Sequence, residues 1–370
     1  MTTFRRPVGP IAVLALAATL GLAVAGPAQG SVDPRQWPLD SAHFDASKIW
    51  PLSTGAGVTV AVVDSGVAAN DPDLTGRLEQ GADFTGTTAG GTVDTSPDSH
   101  GTSIASLIAG SGHAGFSGLA PQATIMPIRV TEGSEVTPTA LAEGITYAID
   151  HHAQVINISM GMPVDDPQVQ AAVEYAVQHN IVVVAAAGNN GTNGNAPQYP
   201  ADLPGVLAVS GSRRDNSPWP LSEYGSYVSL AAPAEDIYLT DSDGGHSTGS
   251  GTSYAAPYVS AAAALLRSRY PNETAAQIVS RLLSTASRPA TASGTTARLG
   301  HGIVDPYAAL TAPVPSGTEN PLLVSTTSTT RRADPSGGET PWWPYPAAGA
   351  VLAAAILSWW SIKSRKRRKE

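Results

Sequence analysis

The chain has 370 residues, 42% hydrophobic and 14% charged, with 37 glycines, 30 prolines and no cysteine. That length accommodates one domain of about 250–280 residues with appendages, and the lack of cysteine excludes disulfides, thiolate metal sites and a cysteine nucleophile. The net charge is −9, but Arg5, Arg6 and six Lys/Arg after Ile362 sit at the two ends, so the body is more acidic than this figure and poorly suited to nucleic acid.

In chain order, Arg5 and Arg6 precede an apolar run at 11–25 that closes on Ala23-Val24-Ala25 before Gly26. Charged, apolar and small-residue regions in that order predict a secretory signal peptide over 1–25, with an uncleaved anchor as the alternative. Residues 26–55 hold Pro27, Pro34, Pro38 and Pro51 and show no helical or alternating period. They read as an extension that wraps over the next domain, with Trp37, Leu39, Ile49 and Trp50 as apolar anchors. The stretch is too short for a folded inhibitory prodomain, so no maturation cleavage is expected.

The globular part spans 56–310. Fully apolar runs at 58–63, 124–130, 155–158, 181–186 and 206–209 predict buried strands. Longer segments at 138–151, 168–179, 253–269 and 274–286 predict helices. Alternation of this kind implies an α/β fold, a doubly wound, mostly parallel sheet with helices on both faces, whose active site lies at the carboxyl ends of strands.

Beyond it, 311–341 is rich in Pro, Ser, Thr and Gly and reads as a flexible linker. The apolar run at 342–362 carries Trp342, Trp343, Trp359 and Trp360 near its ends and is followed by the basic tail 363–370. Aromatic belts and a basic flank predict a transmembrane helix with a cytoplasmic tail, which places the catalytic domain outside the cell membrane.

Three residues carry candidate chemistry. Asp64 follows the strand 58–63, where a carboxylate serves a catalytic site, a metal, a phosphoryl group or a turn. His100 opens a segment with Ile104, Leu107 and Ile108 at helical spacing, and reads as a base or as a histidine packed on the sheet. Ser253 lies where the glycine-rich turn 249–251 enters an apolar helix, and reads as a nucleophile or a helix cap. Together they supply a hydroxyl, an imidazole base and a carboxylate to orient the imidazole, in the chain order Asp, His, Ser.

Asp64-Ser65-Gly66, His100-Gly101-Thr102 and Gly251-Thr252-Ser253-Tyr254-Ala255-Ala256-Pro257 resemble the three signatures of the subtilase family of serine peptidases. The resemblance implies a polypeptide substrate, a catalytic triad of Asp64, His100 and Ser253, and an oxyanion-binding amide on Asn189 in the Gly188-Asn189-Asn190-Gly191 turn. A turn asparagine is the alternative there. It also implies a substrate pocket lined by Ser159, Met160, Gly161, Ala187 and Gly188, although Met160 reads equally well as core filling. No metal ligand set or cofactor is predicted. Calcium stays open, because Asp241-Ser242-Asp243-Gly244-Gly245 has suitable oxygens yet is more simply a turn.

The segments Arg35-Gln36-Trp37-Pro38-Leu39, Lys48-Ile49-Trp50-Pro51 and Gly55-Ala56-Gly57, with the linker and terminal helix, further resemble the mycosins, membrane-anchored subtilases of type VII secretion systems. That likeness implies a secretion complex as partner and secreted proteins as substrates. The missing cysteines depart from the mycosin pattern. A generic surface subtilase and a structural subunit of a secretion complex are the competing readings.

Overall fold

The structure, a computed structural model, describes residues 32–87, 90–133, 135–289, 296–313 and 319–323. The expected signal peptide, most of the linker, the terminal apolar run and the basic tail lie outside these residues. Among the described residues no helix is long and apolar enough to cross a membrane.

Seven parallel strands form the central sheet: β1 (Thr59–Asp64), β2 (Ala82–Asp83), β3 (Thr124–Arg129), β4 (Val155–Ile158), β5 (Val182–Ala186), β6 (Val206–Ser212) and β7 (Val228–Pro233). Their order is β2-β3-β1-β4-β5-β6-β7. All five expected strands are present. The two-residue β2 and the strand β7 had not been anticipated. An antiparallel hairpin, β8 (Ile237–Thr240) with β9 (His246–Gly249), follows the sheet.

Successive strand residues face opposite layers, which is why the runs are apolar throughout. Val60, Val62, Val155, Val182, Val184, Leu207 and Val209 belong to one core, and Ala61, Val63, Ile156, Ile158, Val183 and Ala185 to the other. The first core is covered by α1 (His100–Ala109), α4 (Thr252–Arg269) and α5 (Ala275–Thr285), the second by α2 (Pro138–Asp150) and α3 (Pro167–Gln178). Thr274 and Gln277 form a reciprocal capping box at the start of α5, satisfying helix donors that would otherwise lack partners. Every residue of α4 from Thr252 to Arg267 is buried, and Ala261 to Ala264 let it approach the strands closely.

The N-terminal extension is more integrated than a surface wrap. Trp37, Leu39, Phe44, Ala46 and Ile49 are buried in the first core, and Trp50 packs against it. The stretch also contains a 3-10 turn, Trp37–Leu39, and a short helix, Ala46–Ile49, which its sequence period did not reveal. A single turn is too short to establish a period, and tertiary burial stabilises it instead. The Trp37 indole N–H donates to Asp236 O (3.1 Å), and Gln36 exchanges two hydrogen bonds with the backbone of Ser117 (2.7 and 3.0 Å).

Candidate active site

Asp64 is the last residue of β1, at the carboxyl edge of the sheet, and is 1% exposed. Its Oδ1 accepts from the backbone N–H of Ser65 (2.8 Å) and lies 2.8 Å from His100 Nδ1. The loop after β1 and the first turn of α1 are held together by Asp94. Its Oδ1 accepts from the Ser65 hydroxyl (2.8 Å), and its Oδ2 from Thr102 N–H (2.8 Å) and the Thr102 hydroxyl (2.6 Å). Gly101 permits this approach, since a methyl group there would stand 2.1 Å from Gly66 O.

Burial opposes the charged form of His100, but the Asp64 carboxylate outweighs it through charge and hydrogen bonding, with Asp98 and Asp94 adding to the effect. The imidazole is therefore raised above its ordinary value. Its ring centroid lies 5.7 Å from that of Tyr254, the neighbour of Ser253. Among the described residues no hydrogen bond joins His100 to Ser253.

Ser253 sits in the first turn of α4, where backbone N–H groups have no intrahelical acceptor and the helix dipole favours negative charge. A methyl group at Gly251 would lie 3.0 Å from Ser253 Oγ and 3.6 Å from Asn189 Nδ2, so hydroxyl and amide both flank Gly251. Asn189 is oriented by Thr252, whose N–H and hydroxyl both donate to Asn189 Oδ1 (2.9 Å each). With the carbonyl end engaged, the NH₂ end lies on the Gly251 and Ser253 side.

Pro257 lies inside α4 and has no N–H to give the Ser253 carbonyl four residues earlier. Ser159 supplies the missing donor: its hydroxyl donates to Ser253 O (2.8 Å). Behind it, Asn157 Nδ2 donates to Ser159 Oγ (2.9 Å), and the Ser260 hydroxyl donates to Asn157 Oδ1 (2.8 Å). The Ser159 side chain thus points inward, holding the Ser253 turn. Half-buried Met160 packs on the second core, Ala187 is buried and Gly188 is partly open.

The sequence alone did not single out Asp94 or Asn157. Their roles depend on partners many residues away, and only the acidic and amide side chains themselves hinted at them. Asp241 to Gly245 forms the tip of the β8–β9 hairpin, with Asp241 Oδ1 accepting from Ser247 (2.7 Å) and Asp243 Oδ1 from Gly245 N–H (2.9 Å). His151 stacks on Tyr147, centroids 3.7 Å apart. Among the described residues no three His, Asp or Glu side chains are grouped to hold a metal.

A parallel α/β sheet with an Asp–His pair, a helix-borne serine and an aligned amide defines a serine peptidase, and residues 55–302 match the Subtilase family (Peptidase S8). The chain belongs to that family and is a serine endopeptidase. Thermitase of Thermoactinomyces vulgaris is 38% identical over 273 residues, 72% of this chain and 93% of thermitase. Mycosin-1 of Mycobacterium tuberculosis is 34% identical over 351 residues, 79% of this chain and 76% of mycosin-1. Among solved structures, MycP1 with the N-terminal propeptide removed superposes with a TM-score of 0.66 at 33% identity, covering 75% of this chain and 98% of that one. The MycP3 protease from the type VII (ESX-3) secretion system superposes at 0.65 with 36% identity, covering 78% and 90%. Among subtilases, the chain resembles the mycosins.

Proposed function

We propose that the chain hydrolyses peptide bonds through an acyl-enzyme formed on Ser253, with His100 as base, Asp64 as its orienting carboxylate and Asn189 as oxyanion donor. The observation that carries this reading is the buried 2.8 Å contact between Asp64 and His100, in a site where the Ser253 hydroxyl and the Asn189 amide both flank Gly251. Ser253 Oγ attacks the scissile carbonyl while His100 Nε2 takes its proton. The Asp64 carboxylate accepts from Nδ1–H, fixing the tautomer and stabilising the imidazolium. The carbonyl oxygen becomes an oxyanion against Asn189 Nδ2 and the Ser253 N–H. His100 then protonates the departing amine, and water, deprotonated by the same imidazole, releases the acyl group and restores the hydroxyl. Ser253→Ala should lose nearly all turnover, and a fluorophosphonate should label Ser253 alone; equal peptidase rates in the wild type and in this variant would refute the assignment.

The finer reading is a mycosin-like enzyme, exported by the signal at 1–25 and held by the apolar run at 342–362 with its catalytic domain outside the membrane. The charge flank after Ile362 and the likeness to the type VII protease MycP3 support it. Protease added to intact spheroplasts should remove the catalytic domain and spare a tag placed after Glu370. Loss of both together would reverse the topology. Complementing a deletion strain with the Ser253→Ala variant separates a proteolytic from a structural contribution to secretion, since restored export without activity favours the latter.

A further inference from the structure

The chain holds two Asn-Gly pairs, Asn190-Gly191 and Asn193-Gly194, and both lie in the turn that follows Asn189. Asparagine is a thermolabile side chain, and a following glycine exposes it most, because no Cβ blocks the approach of the glycine nitrogen to the side-chain amide. Asn190 and Asn193 are both exposed, so exposure alone does not separate them. The hydrogen bonding of the main chain does.

In the first pair the glycine nitrogen is engaged. Gly191 is buried, its N–H donates to Leu221 O (2.9 Å), and a methyl group built on it would stand 2.0 Å from Ser222 O. Asn190 N–H is held as well, by Glu223 Oε1 (3.2 Å). Ring closure at Asn190 would have to break the Gly191 bond and move a backbone pressed against residues 221–222. In the second pair the nitrogen is free. Gly194 is exposed at φ +91°, and a methyl group built on it meets nothing within 4 Å. Among the described residues neither its N–H nor the Asn193 side chain has a hydrogen-bond partner.

We propose that Asn193 is a site of spontaneous deamidation, a chemical ageing step built into the turn beside Asn189. Gly194 N loses its proton to solvent base and bonds to Asn193 Cγ, and the side-chain nitrogen departs as ammonia, leaving a succinimide. Water then opens the ring at either carbonyl, which gives aspartate or isoaspartate at 193 and restores the main-chain N–H. Isoaspartate adds a carbon to the main chain between the two groups that close this turn, Asn193 N–H and Asn195 N–H on Asn190 O (2.8 and 3.1 Å). Asn195 is itself fixed by two side-chain hydrogen bonds with the main chain of Tyr224 (2.8 and 2.9 Å). The displacement therefore falls on Asn190, the direct neighbour of Asn189. Its effect on turnover rests on Asn189 acting as assigned above.

The site is tested by peptide mapping of the full chain after incubation at mildly alkaline pH, with isoaspartyl methyltransferase to count isoaspartate. Ser253→Ala is used for the map so that the sample does not digest itself. In the folded protein Asn193 should deamidate about tenfold faster than Asn190, and the two rates should converge once the chain is unfolded in urea. Equal rates in the folded protein, or faster loss at Asn190, would overturn the proposal. Activity is followed separately in aged wild type and Asn193→Gln, as kcat per Ser253 titrated by a fluorophosphonate. The wild type should lose kcat in step with its modified fraction, while Asn193→Gln, whose longer side chain closes the ring poorly, keeps its rate. A modified wild type with undiminished kcat would overturn the link to Asn189. A fresh wild type whose Ser253 does not react would bring down the catalytic assignment and that link together, while the map alone decides the modification site.

Discussion

His100 must be neutral to act as a base, yet its environment favours the charged form. Burial alone would keep the ring neutral, and the Asp64 carboxylate at 2.8 Å reverses that balance, so the imidazole loses its proton at higher pH than a free one. Activity should accordingly rise with pH through a range on the alkaline side of an ordinary histidine. In Asp64→Asn the countercharge is gone, so the acidic limb of kcat/KM should move to lower pH while turnover falls by about 10⁴ through the wrong tautomer. A pH–rate profile of the variant decides the matter, and an unmoved limb would mean that another group governs the base. At this scale the sequence was most legible. The triad residues sit in short local motifs, and Asn189 in a four-residue turn. Asp94 was not legible, because its partners Ser65 and Thr102 lie on either side of it in the chain.

The helix α4 illustrates how an element is adapted to its site. A proline in a helix interior removes one donor, and here the carbonyl so orphaned belongs to Ser253. The buried series Ser260, Asn157, Ser159 completes the missing bond from the end of β4. Ser159→Ala should leave the Ser253 carbonyl unsatisfied, costing about 1–3 kcal/mol in stability and lowering kcat more than it raises KM. Pro257→Ala restores an N–H four residues after Ser253. The double variant should therefore recover much of what Ser159→Ala loses, a coupling that a double-mutant cycle in urea and in kcat would measure. Strict additivity of the two changes would show that Ser159 and Pro257 do not act on the same carbonyl.

For the molecule as a whole, the N-terminal extension acts as part of the core. Trp37, Leu39, Phe44 and Ile49 are buried with the residues that support α1 and α4. A segment built in this way stabilises the domain. Trp37→Ala should cost about 3–5 kcal/mol in urea unfolding, while the activity of each titratable Ser253 stays unchanged. A rise in the specific rate would show instead that the segment restrains the enzyme.

The sequence by itself carried the peptidase class, because its three local motifs, at Asp64-Ser65-Gly66, His100-Gly101-Thr102 and 251–257, resemble the subtilase signatures and each is written in consecutive residues. It also determined the alternation of strands and helices, since full burial on both faces leaves uninterrupted apolar runs such as 58–63. Tertiary structure alone decided which donor completes the Ser253 carbonyl, which residue orients Asn189, and which carboxylate ties Ser65 to Thr102. Those contacts join positions as far apart as Ser159 and Ser253, and spacing along a chain carries no record of which distant groups the packing of a sheet edge brings within 3 Å.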